Sequence, residues 1–201
     1  MPTGSRSWSS ANLGRRLNMK NIIRIIPFLI FSLLSSGCSV IYTTAVDQRD
    51  VETILNDTKI KFTIGNKFYD DEAINSLNLS SGCYSGHVIL VGEYDKAFQK
   101  KRAIKIAKSI EGVKSVTTYL LPKNKDDVCG TDDNIKLTLE VKTKLVADKD
   151  IWSTNIDVKS VQCNVVLYGL VASENKIKKA VAHAKNVEGV RSVKSFLTSS
   201  N

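Results

Sequence analysis

Between Val88 and Gly92 the chain reads VILVG, and between Val165 and Gly169 it reads VVLYG. Both runs are rich in β-branched residues and end at a glycine, which predicts a short strand. After each run the apolar spacing becomes helical. It passes through Phe98, Ala103, Ile106, Ala107 and Ile110, and then through Ile177, Ala180, Val181, Ala184 and Val187. Gly112 and Gly189 stand where a helix C-terminus favours glycine. A last apolar stretch, VKSVTTYLL or VRSVKSFL, predicts a further strand. Ahead of each central run lies a shorter alternating strand. Leu77, Leu79 and Ser81 mark it in one place, Ile156 and Val158 in the other. The turns Tyr84-Ser85-Gly86 and Val161-Gln162-Cys163 join the paired strands into hairpins.

One offset relates all of these elements. IEGVKSV at 110–116 matches VEGVRSV at 187–193 in five of seven positions, 77 residues apart, and the same shift aligns Ala103 with Ala180 and Lys59 with Lys136. The register holds without a gap, so the chain contains a duplicated α+β unit, too few copies for a solenoid. Each hairpin gives an antiparallel pair, and the strand–helix–strand step adds a parallel strand through a right-handed crossover. Val88, Leu90, Val165 and Leu167 are expected in two separate small cores. The segment that opens each unit is ambiguous. Ile135, Leu137, Leu139 and Val141 alternate as in a strand, while Leu137, Val141 and Leu145 recur every fourth residue as in a helix. The acids Asp132 and Asp133 ahead of it favour a helix N-terminus.

The N-terminal region has another character. Ile25 to Leu34 is apolar and uncharged, with Lys20 and Arg24 before it and no acid ahead of Asp47. Ten such residues are too few to span a bilayer, which takes roughly 20. A basic start, a short apolar middle and a small-residue end describe a secretory signal. Its end, Ser35-Ser36-Gly37-Cys38, resembles a bacterial lipobox. That resemblance implies acylation of the Cys38 thiol by diacylglycerol and cleavage before it. Ser39 lacks the acid that often marks inner-membrane retention in such lipoproteins, so the outer membrane is expected. Met19 begins this signal better than Met1, and residues 1–18 are excluded from fold reasoning.

Charge then reads differently. The net charge of +9 includes five bases ahead of Cys38, and without them the remainder carries +4. Most of the excess belongs to the signal, so no nucleic-acid partner is implied. A modest positive surface still favours anionic lipid. His87 and His183 lack metal-ligand spacing, and no metal site or cofactor is expected. No nucleophile–base pair or phosphate loop stands out. With Cys38 acylated, Cys83, Cys129 and Cys163 remain, so at most one pair forms within the chain. Cys83 with Cys129 is the favoured disulfide, with three free thiols as the alternative.

The order helix, strand, strand ending in Leu-x-Gly, helix ending in Gly-Val-x-x-Val, strand resembles the BON domain. VILVG, VVLYG, EGVKSV and EGVRSV carry the resemblance over about residues 38–199. It implies an α+β fold of two tandem αββαβ units, each a small three-stranded mixed sheet packed by two helices. The expected division is 1–37 extension and signal, 38–56 lipidated linker, 57–121 first unit, 122–132 linker and 133–199 second unit. The resemblance implies a non-enzymatic protein of the bacterial envelope that binds phospholipid and supports outer-membrane integrity, lipid-anchored and facing the periplasm. A periplasmic adaptor or chaperone-like module that binds envelope proteins is the alternative. The family also favours a helix at the ambiguous segment. With about 100° per residue, Leu137, Val141 and Leu145 then face the core. Ile135 and Leu139 face outward between Lys136 and Lys142. Apolar groups flanked by bases suit the surface of an anionic bilayer, so these four residues form the expected phospholipid contact. Thr58 and Phe62, with Lys59 and Lys61 nearby, are a weaker version in the first copy.

Overall fold

A computed structural model describes residues 49–74 and 78–199. The expectations placed on Met19, the signal segment, Cys38 and Leu77 lie outside these residues.

The first unit runs α1 (Val51–Asp70), β1 (Leu79–Tyr84), β2 (His87–Tyr94), α2 (Ala97–Lys108) and β3 (Ser115–Pro122). The second repeats it as α3 (Thr131–Ala147), β4 (Ile156–Val161), β5 (Asn164–Val171), α4 (Glu174–Lys185) and β6 (Ser192–Ser199), with a short 3-10 turn at Ser153–Asn155 before β4. Each sheet has its central strand between an antiparallel and a parallel neighbour, in the orders β1-β2-β3 and β4-β5-β6. This is the expected α+β pair of αββαβ units. The ambiguous segment is helical in both copies. α1 begins at Val51 because Asp50 caps it: its carboxylate accepts hydrogen bonds from Thr53 N and Thr53 Oγ1, both at 2.8 Å.

The central strands place alternate residues on opposite faces. Val88 and Leu90 enter the first unit's core with Ile60, Ile64, Ala103 and Ala107. Val165 and Leu167 enter the second's with Leu137, Val141, Leu145, Ala180 and Ala184. These are the cores expected for those four residues. The two are separate clusters, as expected, and a third, not expected from the sequence, lies between the sheets. Ile89 and Val91 of β2 meet Val161, Val166 and Tyr168 of the second unit in this third core, bordered by Tyr84, Tyr119, Leu121 and Phe196. The two sheets therefore pack face to face, and the helices form the outer layers. Tyr84 packs edge-on against Tyr168, with ring centroids 6.4 Å apart, and donates through its hydroxyl to Asp157 at 3.0 Å. Gln162 Nε2 donates to Glu93 Oε1 and to the Pro122 carbonyl at 2.9 and 2.8 Å. The physical cause is in the strand sequences. VILVG and VVLYG are apolar at consecutive positions, so both strand faces need cover.

Two glycine sites need their residue type. Gly92 and Gly169 have φ of +151° and +140°, and a Cβ at either would lie 2.0 Å from the carbonyl oxygen of Asn78 or Asn155. At Gly82 the cause is packing instead. A Cβ there would lie 2.2 Å from the Tyr168 ring, so the missing side chain lets the second sheet lie against β1.

Candidate membrane-contact face

α3 is set in place from its start. The Gly130 amide donates to Asp133 Oδ2 at 2.8 Å, and Asp132 and Asp133 occupy the first turn, where carboxylates complement the helix dipole. Asn134 joins this end to the hairpin of its own unit. Its Oδ1 accepts from the Cys163 amide at 3.0 Å and its Nδ2 donates to the Gly130 carbonyl at 2.8 Å. Thr138 Oγ1 bonds to Ser160 Oγ at 3.0 Å. At the other end Asp148 caps the helix and accepts from Lys179 Nζ at 2.9 Å, with His183 Nε2 2.6 Å away. The hydrogen bonds from His183 and then Lys179 hold the Asp148 carboxyl well below the usual carboxylate range.

With both ends fixed, the outward face is fixed. Leu137, Val141 and Leu145 are buried, while Ile135 and Leu139 are 54% and 59% exposed. Lys136 and Lys142 are exposed beside them, and Lys136 lies 3.9 Å from Glu140 across one helical turn. The four residues expected to meet phospholipid thus share one solvent-facing side of α3. Val146, 70% exposed, extends the apolar line by two turns. Ile135 and Leu139 also border a shallow cleft of about 200 Å³ toward Asn78 and Ser80 of the first unit, without being buried by it. α1 carries the matching stripe: Leu55, Phe62 and Tyr69 are all exposed. Phe62 was expected there. Leu55 and Tyr69 were missed, although their spacing from Phe62, seven residues each way, was the signal.

The cysteines pair differently from expectation. The disulfide joins Cys129 to Cys163, not Cys83 to Cys129. Cys129 leads directly into α3, whose start is bonded through Asn134 to the turn containing Cys163. Cys83 belongs to the first unit's core, where its thiol donates to Asp57 Oδ1 at 3.2 Å. Burial, with the hydrogen bond and charge of Asp57 adding to it, pushes the Cys83 thiol up to about 12. Asp57 is the first unit's counterpart of Asn134. It accepts from the Ser85 and Gly86 amides at 2.6 and 2.8 Å and pairs with Arg49 at 2.6 Å.

Neither histidine has company suited to a metal. His87 bonds to Ser115 and His183 to Asp148. Among the described residues no group of three or more His, Cys, Asp or Glu is arranged to hold a metal ion, and no helix is long and apolar enough to cross a membrane.

Comparison with known proteins agrees with this architecture. The family model described as BON domain matches residues 56–121 and again 133–200. Osmotically-inducible protein Y of Escherichia coli (strain K12) is 32% identical over 149 residues, covering 73% of this chain and 74% of its own. Outer membrane lipoprotein DolP of Haemophilus influenzae is 28% identical over 158 residues, covering 78% of this chain and 81% of its own. A solved structure of CdsD, a structural protein of the type III secretion system of Chlamydia trachomatis, aligns with 71% of this chain and 63% of its own at 14% identity. Its TM-score is 0.29, so the fold rests on the family match and on the topology described above.

Proposed function

The chain belongs to the BON domain family, and from that premise we propose that it is a non-enzymatic outer-membrane lipoprotein, anchored through Cys38, whose folded part meets anionic phospholipid at the periplasmic face. The observation that carries this reading is the outward side of α3. Two aliphatic side chains more than half exposed, flanked by Lys136 and Lys142, are costly to leave in water and match a headgroup boundary. A lysine near an anionic surface contributes about 1 kcal/mol, and each buried methylene about 0.8 kcal/mol. Such a face binds reversibly, and the acyl chain supplies the residence. The similarity to an outer membrane lipoprotein supports the location, and the lipobox-like SSGC supports the anchor.

The test has two arms. Soluble protein comprising residues 43–201, which contains all three cores, is floated with vesicles containing phosphatidylglycerol. Leu139→Asp and Lys136→Glu should each weaken binding while circular dichroism stays unchanged. In cells, labelled palmitate should enter the full chain and not Cys38→Ala. Vesicle binding that both substitutions leave intact removes the α3 face from the account, and equal labelling of both chains removes the anchor.

A further inference from the structure

The duplication supplies an internal control for a second site. Each unit has a groove between its first helix, its hairpin turn and the loop that follows its second helix. In the first unit this groove encloses about 600 Å³ above Ile60 and Ile110, with Lys59, Lys67 and Lys114 along its walls. In the second it encloses about 410 Å³ and holds Lys136 and Arg191 with three acids, Asp133, Glu140 and Glu188.

The second groove sets an acid beside each of its cations. Arg191, at the place of Lys114, pairs with Asp127 at 2.7 Å, and Lys136, at the place of Lys59, has Glu140 at 3.9 Å. The first unit has lost both partners. Thr63 replaces Glu140. Asp50 stands where Asp127 does, but Thr53 takes both of its oxygens at the helix cap. Asp57 at the groove wall is occupied by Arg49 and by the Ser85 and Gly86 amides. Glu111 is then the one lining acid left to face three lysines. Among the described residues none of these lysines forms an ion pair.

We propose that the groove of the first unit binds a phosphate-bearing anion. Each lysine is a point charge with three donors and no acceptor, so an anion with several oxygens satisfies more than one at once. A cleft with an excess of one sign of charge also concentrates the field. The apolar floor leaves room for a glycerol-sized substituent. The phosphate arrives either as a soluble phosphomonoester or as a phospholipid headgroup. The site is independent of the α3 face, which lies on the other unit.

Nuclear magnetic resonance titration of 15N-labelled residues 43–201 tests it, with inorganic phosphate, glycerol 3-phosphate and short-chain phosphatidylglycerol against chloride at equal ionic strength. Saturable shifts are expected at the amides of Gly86, Gly112 and Lys114. Lys59→Gln and Lys114→Gln should each weaken the response about three- to fivefold, while Arg191→Gln, at the matching place in the second unit, leaves it unchanged. Binding of the two soluble phosphates identifies a soluble source; binding of the lipid alone identifies the headgroup. Loss of vesicle binding in Leu139→Asp with these shifts retained separates the two sites. The absence of saturation with all three probes, or a response that Lys114→Gln leaves intact, overturns the proposal.

Discussion

Removing Tyr168 should destabilise both units, although it belongs to only one. Its ring is 3% exposed, lies over Gly82 of β1 and meets the Tyr84 ring edge-on. Neighbouring Val165 and Leu167 point to the other side of β5, so Tyr168→Ala empties the shared core and leaves the second unit's own core filled. Truncating a large buried aromatic costs about 3–5 kcal/mol, of which the paired rings account for about 0.5–1.5 kcal/mol. With a urea dependence of about 2 kcal/mol per molar, the midpoint should fall by roughly 1.5–2.5 M. Residues 43–201 carry a reporter in each unit. Trp152 is their one tryptophan, and Cys83 is the free thiol among the described residues. Urea titrations followed by Trp152 fluorescence and by Cys83 alkylation should coincide in the wild type. In Tyr168→Ala both should shift to lower urea and separate. If Cys83 protection is unchanged while the Trp152 transition falls, the units are energetically independent and the shared core does not couple them.

Two further outcomes follow from the second unit. The Cys129–Cys163 bridge closes 34 residues of chain, a constraint on the unfolded state of about 3–4 kcal/mol. Reduction should therefore lower the Trp152 midpoint, with Cys83 becoming reactive at lower urea alongside it through the shared core, and an unchanged midpoint would remove the bridge from the stability account. Asp148 has a carboxyl depressed by His183 and Lys179, so its contribution is present above the unfolded carboxyl value near 4 and is lost as pH falls through the lower folded value. Asp148→Asn should be less stable than wild type near neutral pH, with the gap narrowing below about pH 4. Melting temperatures that run parallel across that range would contradict it.

The fold was legible where pattern and physics agree. VILVG and VVLYG announced central strands, and the single offset of 77 announced two equivalent units. The same strings also carried the third core, because consecutive apolar residues cannot all face one side of a sheet. The opening helices were ambiguous for a physical reason. α3 has a buried line at Leu137, Val141 and Leu145 and an exposed line at Ile135 and Leu139, and the two together imitate strand alternation. The disulfide was not legible. Counting three thiols allows one pair without choosing it. The choice depends on how Asn134 brings the start of α3 against the turn at Cys163, a contact between residues far apart in sequence. The unpaired lysines of the first groove were equally hidden, since the loss of Asp127's role at Asp50 shows only once the Thr53 cap is in view.

The central claim is that the outward face of α3 enters a lipid surface. Its most direct test is a polarity-sensitive fluorophore attached to a cysteine placed at position 139 in residues 43–201, with Cys83→Ser to keep the label unique. Vesicles containing phosphatidylglycerol should shift its emission to the blue, and quenchers on the upper acyl chain should reach it. The same label at position 101, exposed on α2 of the first unit, should not respond. A label at 139 that stays in water while the protein binds the vesicles would contradict the claim.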